Sequence, residues 1–248
     1  MGLPHRTLLL LLLLQQRLSG GDASKEAAAA LPEPVYRDPA QPIDVRTADL
    51  LGRMTLDEKI AQLTYVGGVG NASTVAAVKS GGVGGLQCGE NASTCLAAVN
   101  QLQAALQKTR LGIPASIFAE TTHSGGFIGS TVFPMPVTTG CSWNTSLLER
   151  IGAAIALEAR AAGIDQALGP ILQVCTDPRF GRMAENFGED PFHVSQMGVA
   201  STQGLQGRDC GGANVSLASD KVSAQAKHFA ICKPCRRRLL SPSPPLRL

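Results

Sequence analysis

Between Thr176 and Pro191 the chain reads T-D-P-R-F-G-R-M-A-E-N-F-G-E-D-P, interleaving the carboxylates of Asp177, Glu185, Glu189 and Asp190 with the guanidiniums of Arg179 and Arg182. Gly181, Gly188 and the two flanking prolines kink the stretch, and no helical or alternating apolar period runs through it. It therefore reads as a loop and not as a core element. A charged, glycine-kinked loop leaving a buried strand is where an α/β enzyme puts its ligand chemistry. Two further polar clusters follow apolar runs: Glu120 with His123 after Ala115–Ala119, and Lys227 with His228 after Val222–Ala226. Burying a lysine costs several kcal/mol unless it is paired, so Lys227 at an apolar strand end points to a site and not to packing.

The elements that must position these clusters alternate between two periods. Thr55-Leu-Asp-Glu58 is a capping box that starts a helix running to about Leu63. A second helix fits Ser93 to Arg110, with Leu96, Val99, Leu102 and Leu106 on one face, stopped by Gly112 and Pro114. Leu147, Leu148, Ile151, Ile155 and Ala159 form another stripe ending at Gly163, followed by a strand over Ala167–Val174. Asp190-Pro191 opens a helix that reaches about Leu205 and stops at Gly207. With Gly81–Leu86 as an earlier strand, about four strands alternate with helices, which implies parallel pairing and an α/β fold. In a (β/α)8 barrel the working residues sit just past the strand C-termini. The three clusters fall at three such positions, so one shared site is expected.

The loop at Asp177–Pro191 closely resembles the signature of glycoside hydrolase family 3, the exo-acting β-glucosidases and β-xylosidases. Phe133-Pro-Met-Pro136, Cys141-Ser-Trp-Asn144, Glu158-Ala-Arg-Ala-Ala-Gly163 and Ala226-Lys-His-Phe-Ala230 look like further motifs of that family, in order from about Tyr36 to Ala230. The resemblance implies about the first half of a (β/α)8 TIM-type barrel over 43–230, a retaining mechanism on terminal β-linked glucose or xylose, and no cofactor or metal. It also implies that Arg182, Lys227 and His228 grip the sugar. Glu120 falls where the family has a sugar-binding Asp or Glu, although Glu120-Thr-Thr-His123 matches only in part and Ser124 stands at a glycine position. The family's aspartate nucleophile and its general acid lie in segments beyond the Lys-His motif, and the pattern ends here near Ile231. No residue is therefore assigned as catalytic, and the chain is expected to be inactive alone. The alternatives are a non-catalytic sugar-binding or regulatory fragment, or the product of a mis-spliced transcript.

Plainer roles are expected elsewhere. Arg179 is expected to be salt-bridged to Glu185, Glu189 or Asp190, the same pairing being the alternative to a sugar contact for Arg182. His193 is expected to be a surface residue, and Trp143 and Phe180 to serve packing. His5 and Arg6 followed by leucines 8–14 read as a signal peptide over 1–23. An extended lead-in follows over 24–42. Residues 231–248 have no period and carry four prolines, so they read as an aberrant, disordered tail. The Cys232–Cys235 pair has no second ligand pair beside it. The leader and the sequons at Asn71, Asn91, Asn144 and Asn214 fit a secreted glycoprotein with no membrane contact after cleavage. Asn144 reads equally as a helix N-cap. Seven cysteines leave at least one unpaired, and Cys88 and Cys95 could close a short loop. A net charge of +3, partly contributed by the tail arginines, gives no nucleic-acid face. The partners implied are a β-glucoside or β-xyloside, and further copies of the chain through exposed sheet edges.

Overall fold

The computed structural model describes residues 34–66, 68, 74, 76, 85–87, 91–208 and 217–228. The leader, the tail, Asn71, Cys88 and Asn214 lie outside the described residues. The chain divides into two compact units, the break falling after Arg53.

In the first unit a 3-10 turn at Val35–Arg37 precedes helix α1, Ile43–Arg53. Tyr36 N donates to Asp49 Oδ2 at 3.0 Å and Arg46 Nε donates to Tyr36 O at 2.9 Å, which ties the turn to the helix. Neither element was anticipated, and the turn corrects the expectation of an extended lead-in through residue 42.

The second unit alternates helix and strand. Helix α2 spans Leu56–Gln62, and both arms of its capping box form: Glu58 N donates to Thr55 Oγ1 at 3.2 Å and Thr55 N donates to Glu58 Oε2 at 2.9 Å. Then come β1 (Tyr65–Val66), β2 (Gly85–Gln87), α3 (Ala92–Leu106), β3 (Ser116–Ala119), α4 (Pro136–Gly140), α5 (Thr145–Ala161), β4 (Gln166–Ala167), a 3-10 turn at Met183–Glu185, α6 (Pro191–Gln206) and β5 (Ser223–Ala224). The strands pair in chain order, β1-β2-β3-β4-β5, and every pairing is parallel. Parallel neighbours need crossover connections, and the helices supply most of them.

Five strands are therefore described where about four were expected. β1 was missed because two residues carry no readable period. The strand expected over 167–174 is much shorter because Pro170 has no N–H to donate to the ladder. Pairing resumes beyond it: Lys227 N donates to Pro170 O at 3.0 Å and Leu172 N to Lys227 O at 2.9 Å, around an isolated bridge between Ile171 and Lys227. That resumption carries the β4 segment out alongside Lys227 and fixes where the polar residues beyond β5 lie.

The core is an apolar layer between sheet and helices, built from Leu106, Ile117, Ile164, Ala167 and Val222 among others. On α3 the buried face is Cys95, Val99, Leu102 and Leu106; three of the four expected positions are buried, while Leu96 is 39% exposed and Cys95 takes its place. Cys95 is disulfide-bonded. A second cluster joins Leu148 of α5 to Val194, Met197 and Ala200 of α6. The α5 and α6 backbones approach closely at Gly152 and Gly204, where a side chain on either glycine would strike the other helix.

Candidate functional site

β3 ends at Ala119 and delivers Glu120; β5 is followed by Lys227 and His228; and the loop after β4 carries Arg182. These four residues, chosen from sequence, form two linked contacts. Lys227 Nζ lies 2.7 Å from both carboxylate oxygens of Glu120, and the lysine side chain is only 13% exposed. Arg182 Nε donates to Glu185 Oε1 at 2.7 Å, and its Nη2 reaches Glu185 Oε2. Its Nη1 lies 3.2 Å from His228 Nε2. On the far side of the ring, His228 Nδ1 is 2.9 Å from Oε1 of the buried Gln173.

The charges decide the protonation pattern. Burial, and then the positive charges of Arg182 and Lys227, hold the His228 imidazole below its ordinary pKa, so the ring is neutral at neutral pH. A neutral ring donates from one nitrogen and accepts at the other. Arg182 can only donate, so Nε2 accepts, and the proton on Nδ1 goes to Gln173; this tautomer is assigned from the hydrogen-bond network. The Glu185 carboxyl is held below its usual range by the Arg182 hydrogen bonds, and Arg182 is pushed upward by the same pair.

Glu185, a candidate ion-pair partner for the loop arginines from the sequence, is the bidentate partner of Arg182. Two members of this network were not found from sequence. Thr122 Oγ1 donates to Glu120 Oε1 at 2.6 Å. Gln173 is the polar residue inside the apolar run 167–174, and that misfit was a readable signal. His123 does not join the network: its Nδ1 sits 2.9 Å from Phe133 O, and Phe133 N donates to His123 O at 2.8 Å. It closes the neck of a loop that Glu158 pins from α5, accepting from Thr131 N at 2.8 Å and Thr131 Oγ1 at 2.6 Å.

Other expectations are corrected. Arg179 is salt-bridged within its loop, but to Asp177 at 2.6 Å and not to Glu185, Glu189 or Asp190. Asp177 lies two residues away, while Glu185 is already held by Arg182. His193 is buried, and its ring lies 4.0 Å from that of Trp143. Trp143 is itself 71% exposed and fills no core position. Among the described residues no group of three His, Cys, Asp or Glu side chains could hold a metal ion.

The described strands are all parallel, and the paired carboxylates and cations gather beyond their C-terminal ends, where (β/α)8 barrels place their working residues. The chain belongs to glycosyl hydrolase family 3: the model of that family's N-terminal domain matches residues 55–232. It is 36% identical over 193 residues to beta-D-xylosidase 1 of Arabidopsis thaliana, covering 76% of this chain and 21% of that protein. A beta-glucosidase structure from Erythrobacter marinus superposes with a TM-score of 0.68 at 29% identity, over 80% of this chain and 27% of the other. A beta-glucosidase from Listeria innocua solved in complex with glucose gives 0.62 at 31% identity, over 75% of this chain and 26% of the other. The chain thus spans roughly a quarter or less of the length of the curated relatives it matches.

Proposed function

We propose that this chain is the sugar-gripping part of a β-glycosidase of the glucosidase and xylosidase type, and that Glu120, Arg182, Lys227 and His228 hold one terminal β-linked sugar by its hydroxyls. In this reading the five parallel strands are about the first half of a (β/α)8 barrel, and the leader carries the chain into the secretory pathway. The observation that carries the proposal is that the four residues, from the segments after β3, β4 and β5, form two contacts, Lys227 with Glu120 and Arg182 with His228, brought side by side because Lys227 and His228 are neighbours in the chain. Lysine offers three N–H groups and arginine five. After their contacts with Glu120, Glu185 and His228, at least one on Lys227 and two on Arg182 remain for a ligand. Cationic donors on hydroxyl oxygens make hydrogen bonds about twice as strong as neutral ones.

The same geometry favours gripping over cutting by these residues. A retaining glycosidase uses two carboxyl groups about 5 Å apart, one free to attack and one able to carry a proton. Glu120 is tied to Lys227 and Glu185 to Arg182, so each is occupied as a partner to a cation. Hydrolysis then falls to carboxylates outside this set, and the chain alone binds sugar without turning it over. The test pairs two assays on the full chain: nitrophenyl β-glucoside and β-xyloside hydrolysis, and glucose or xylose titration. No turnover with binding that disappears in Arg182→Ala is expected. Turnover by the pure chain, or absent binding by a folded one, contradicts the proposal.

A further inference from the structure

Two of the four sequons lie among the described residues, and both open a helix: Asn91 caps α3 and Asn144 caps α5. At Asn91 the sequon's own hydroxyl is engaged, since Ser93 Oγ donates to Asn91 Oδ1 at 2.9 Å. At Asn144 the arrangement is more open. Its Oδ1 accepts from Leu147 N at 2.9 Å, which turns the carbonyl toward the helix and leaves Nδ2 on the opposite side of the amide. Among the described residues nothing accepts from Nδ2. Asn144, Thr145 and Ser146 are all exposed, and Trp143 beside them is also exposed, its ring tilted against that of His193.

We propose that Asn144 carries an N-linked glycan, and that the α5 cap survives the modification because the cap uses Oδ1 while the glycan uses Nδ2. In the transfer, Nδ2 attacks the anomeric carbon of an oligosaccharide carried on a lipid diphosphate. The carbon–nitrogen bond forms and the carbon–oxygen bond to the diphosphate breaks. The lipid diphosphate leaves with the bonding pair, and the amide gives up one proton to a base of the transferring enzyme. The cap and the sequon are therefore one residue with two jobs that do not compete. Helix capping and glycan attachment, read from sequence as rival explanations of Asn144, are compatible.

The full chain, with its own N-terminal segment, is expressed in a eukaryotic secretory cell, and its peptides are sequenced by mass spectrometry before and after peptide-N-glycosidase. Asn144 is expected to carry glycan and to become aspartate on release. Ser146→Ala and Asn144→Asp are both expected to lose the glycan at this site while melting with the enzymatically deglycosylated chain, because both keep a cap acceptor. Asn144→Ala is expected to lose the glycan and also melt lower. An unmodified Asn144, whether in chain recovered from the secretory lumen or in chain that never enters it, overturns the assignment. An Asn144→Asp chain that melts as low as Asn144→Ala overturns the claim about the cap.

Discussion

Gly204→Ala separates the α5–α6 contact from every other contribution to stability. A Cβ on Gly204 would lie 2.3 Å from Glu149 O, 2.9 Å from Ala153 N and 2.9 Å from Gly152 Cα, all backbone atoms of α5. Carbon contacts are comfortable at about 3.5–4.0 Å, so the two helices must part by roughly 1 Å. Overpacking of this kind costs about 1–3 kcal/mol, and the backbone has no rotamer escape, which puts the change near the upper end. Alanine returns about 1 kcal/mol of helix propensity over glycine, leaving a net loss of about 2 kcal/mol. For a chain of 248 residues that is a fall of about 4–8 °C in Tm. Gly198→Ala, on the same helix, is the control. Its Cβ would crowd only the Leu172 side chain, coming to 2.4 Å from Cδ2, the far end of a residue that is 37% exposed and free to turn away. It keeps the propensity gain of up to about 1 kcal/mol without the backbone clash. Thermal and urea unfolding of the three chains read the difference. If Gly204→Ala is as stable as Gly198→Ala, the close helix approach is wrong. The loop bearing Arg182 runs into α6 at Asp190, so with it would go the account of how that loop is held.

Thr121 Oγ1 is buried without a hydrogen-bond partner and lines a cavity of ≈ 20 Å³ between the strand ends, α5 and α6. Thr121→Val, which removes the unsatisfied group at equal size, is expected to be neutral or stabilising by about 1 kcal/mol in urea unfolding; a clear loss would mean that the hydroxyl is satisfied. The Glu58 carboxyl is depressed chiefly by its Arg110 hydrogen bonds. Its contribution to stability is present above the unfolded glutamate pKa and lost as pH falls through the folded value. Glu58→Gln should flatten that acid limb in unfolding measured against pH, and an unchanged limb counts against the pair. For His228, depressed mainly by burial, the unfolded ring binds a proton first as pH falls, so stability drops below about pH 6.5. An NMR titration of His228 should show a midpoint below that of an ordinary histidine, and a normal midpoint would refute the downward shift.

What could be read in advance was whatever rests on local rules. The Thr55–Glu58 box, the Asp190 cap ahead of Pro191 and the stop at Gly207, whose φ is 89°, depend on a few adjacent residues, and all formed. Glu120, Arg182, Lys227 and His228 could be named because each follows an apolar run or sits in a charged loop that resembles a family motif, although only the fold brings them together. Features set by distant partners were not legible. His193 is buried, its ring against a tryptophan fifty residues earlier in the chain. Gln173 finds its role through a histidine in the segment after β5, fifty-five residues later. The β4 segment is interrupted at Pro170, a breaker visible in the sequence whose effect on the ladder was underestimated.

The most direct test of the sugar grip is calorimetric titration of the full chain and of Arg182→Lys with methyl β-D-xyloside and methyl β-D-glucoside. Lysine keeps the charge but cannot hold Glu185 in a bidentate fork while reaching His228 and a ligand. Losing one charge-assisted hydrogen bond, worth about 1.5–3 kcal/mol, weakens binding roughly 10- to 150-fold. The account predicts binding by the parent chain and that loss in the variant. Equal affinity in both, or no binding by a folded parent chain, would contradict it.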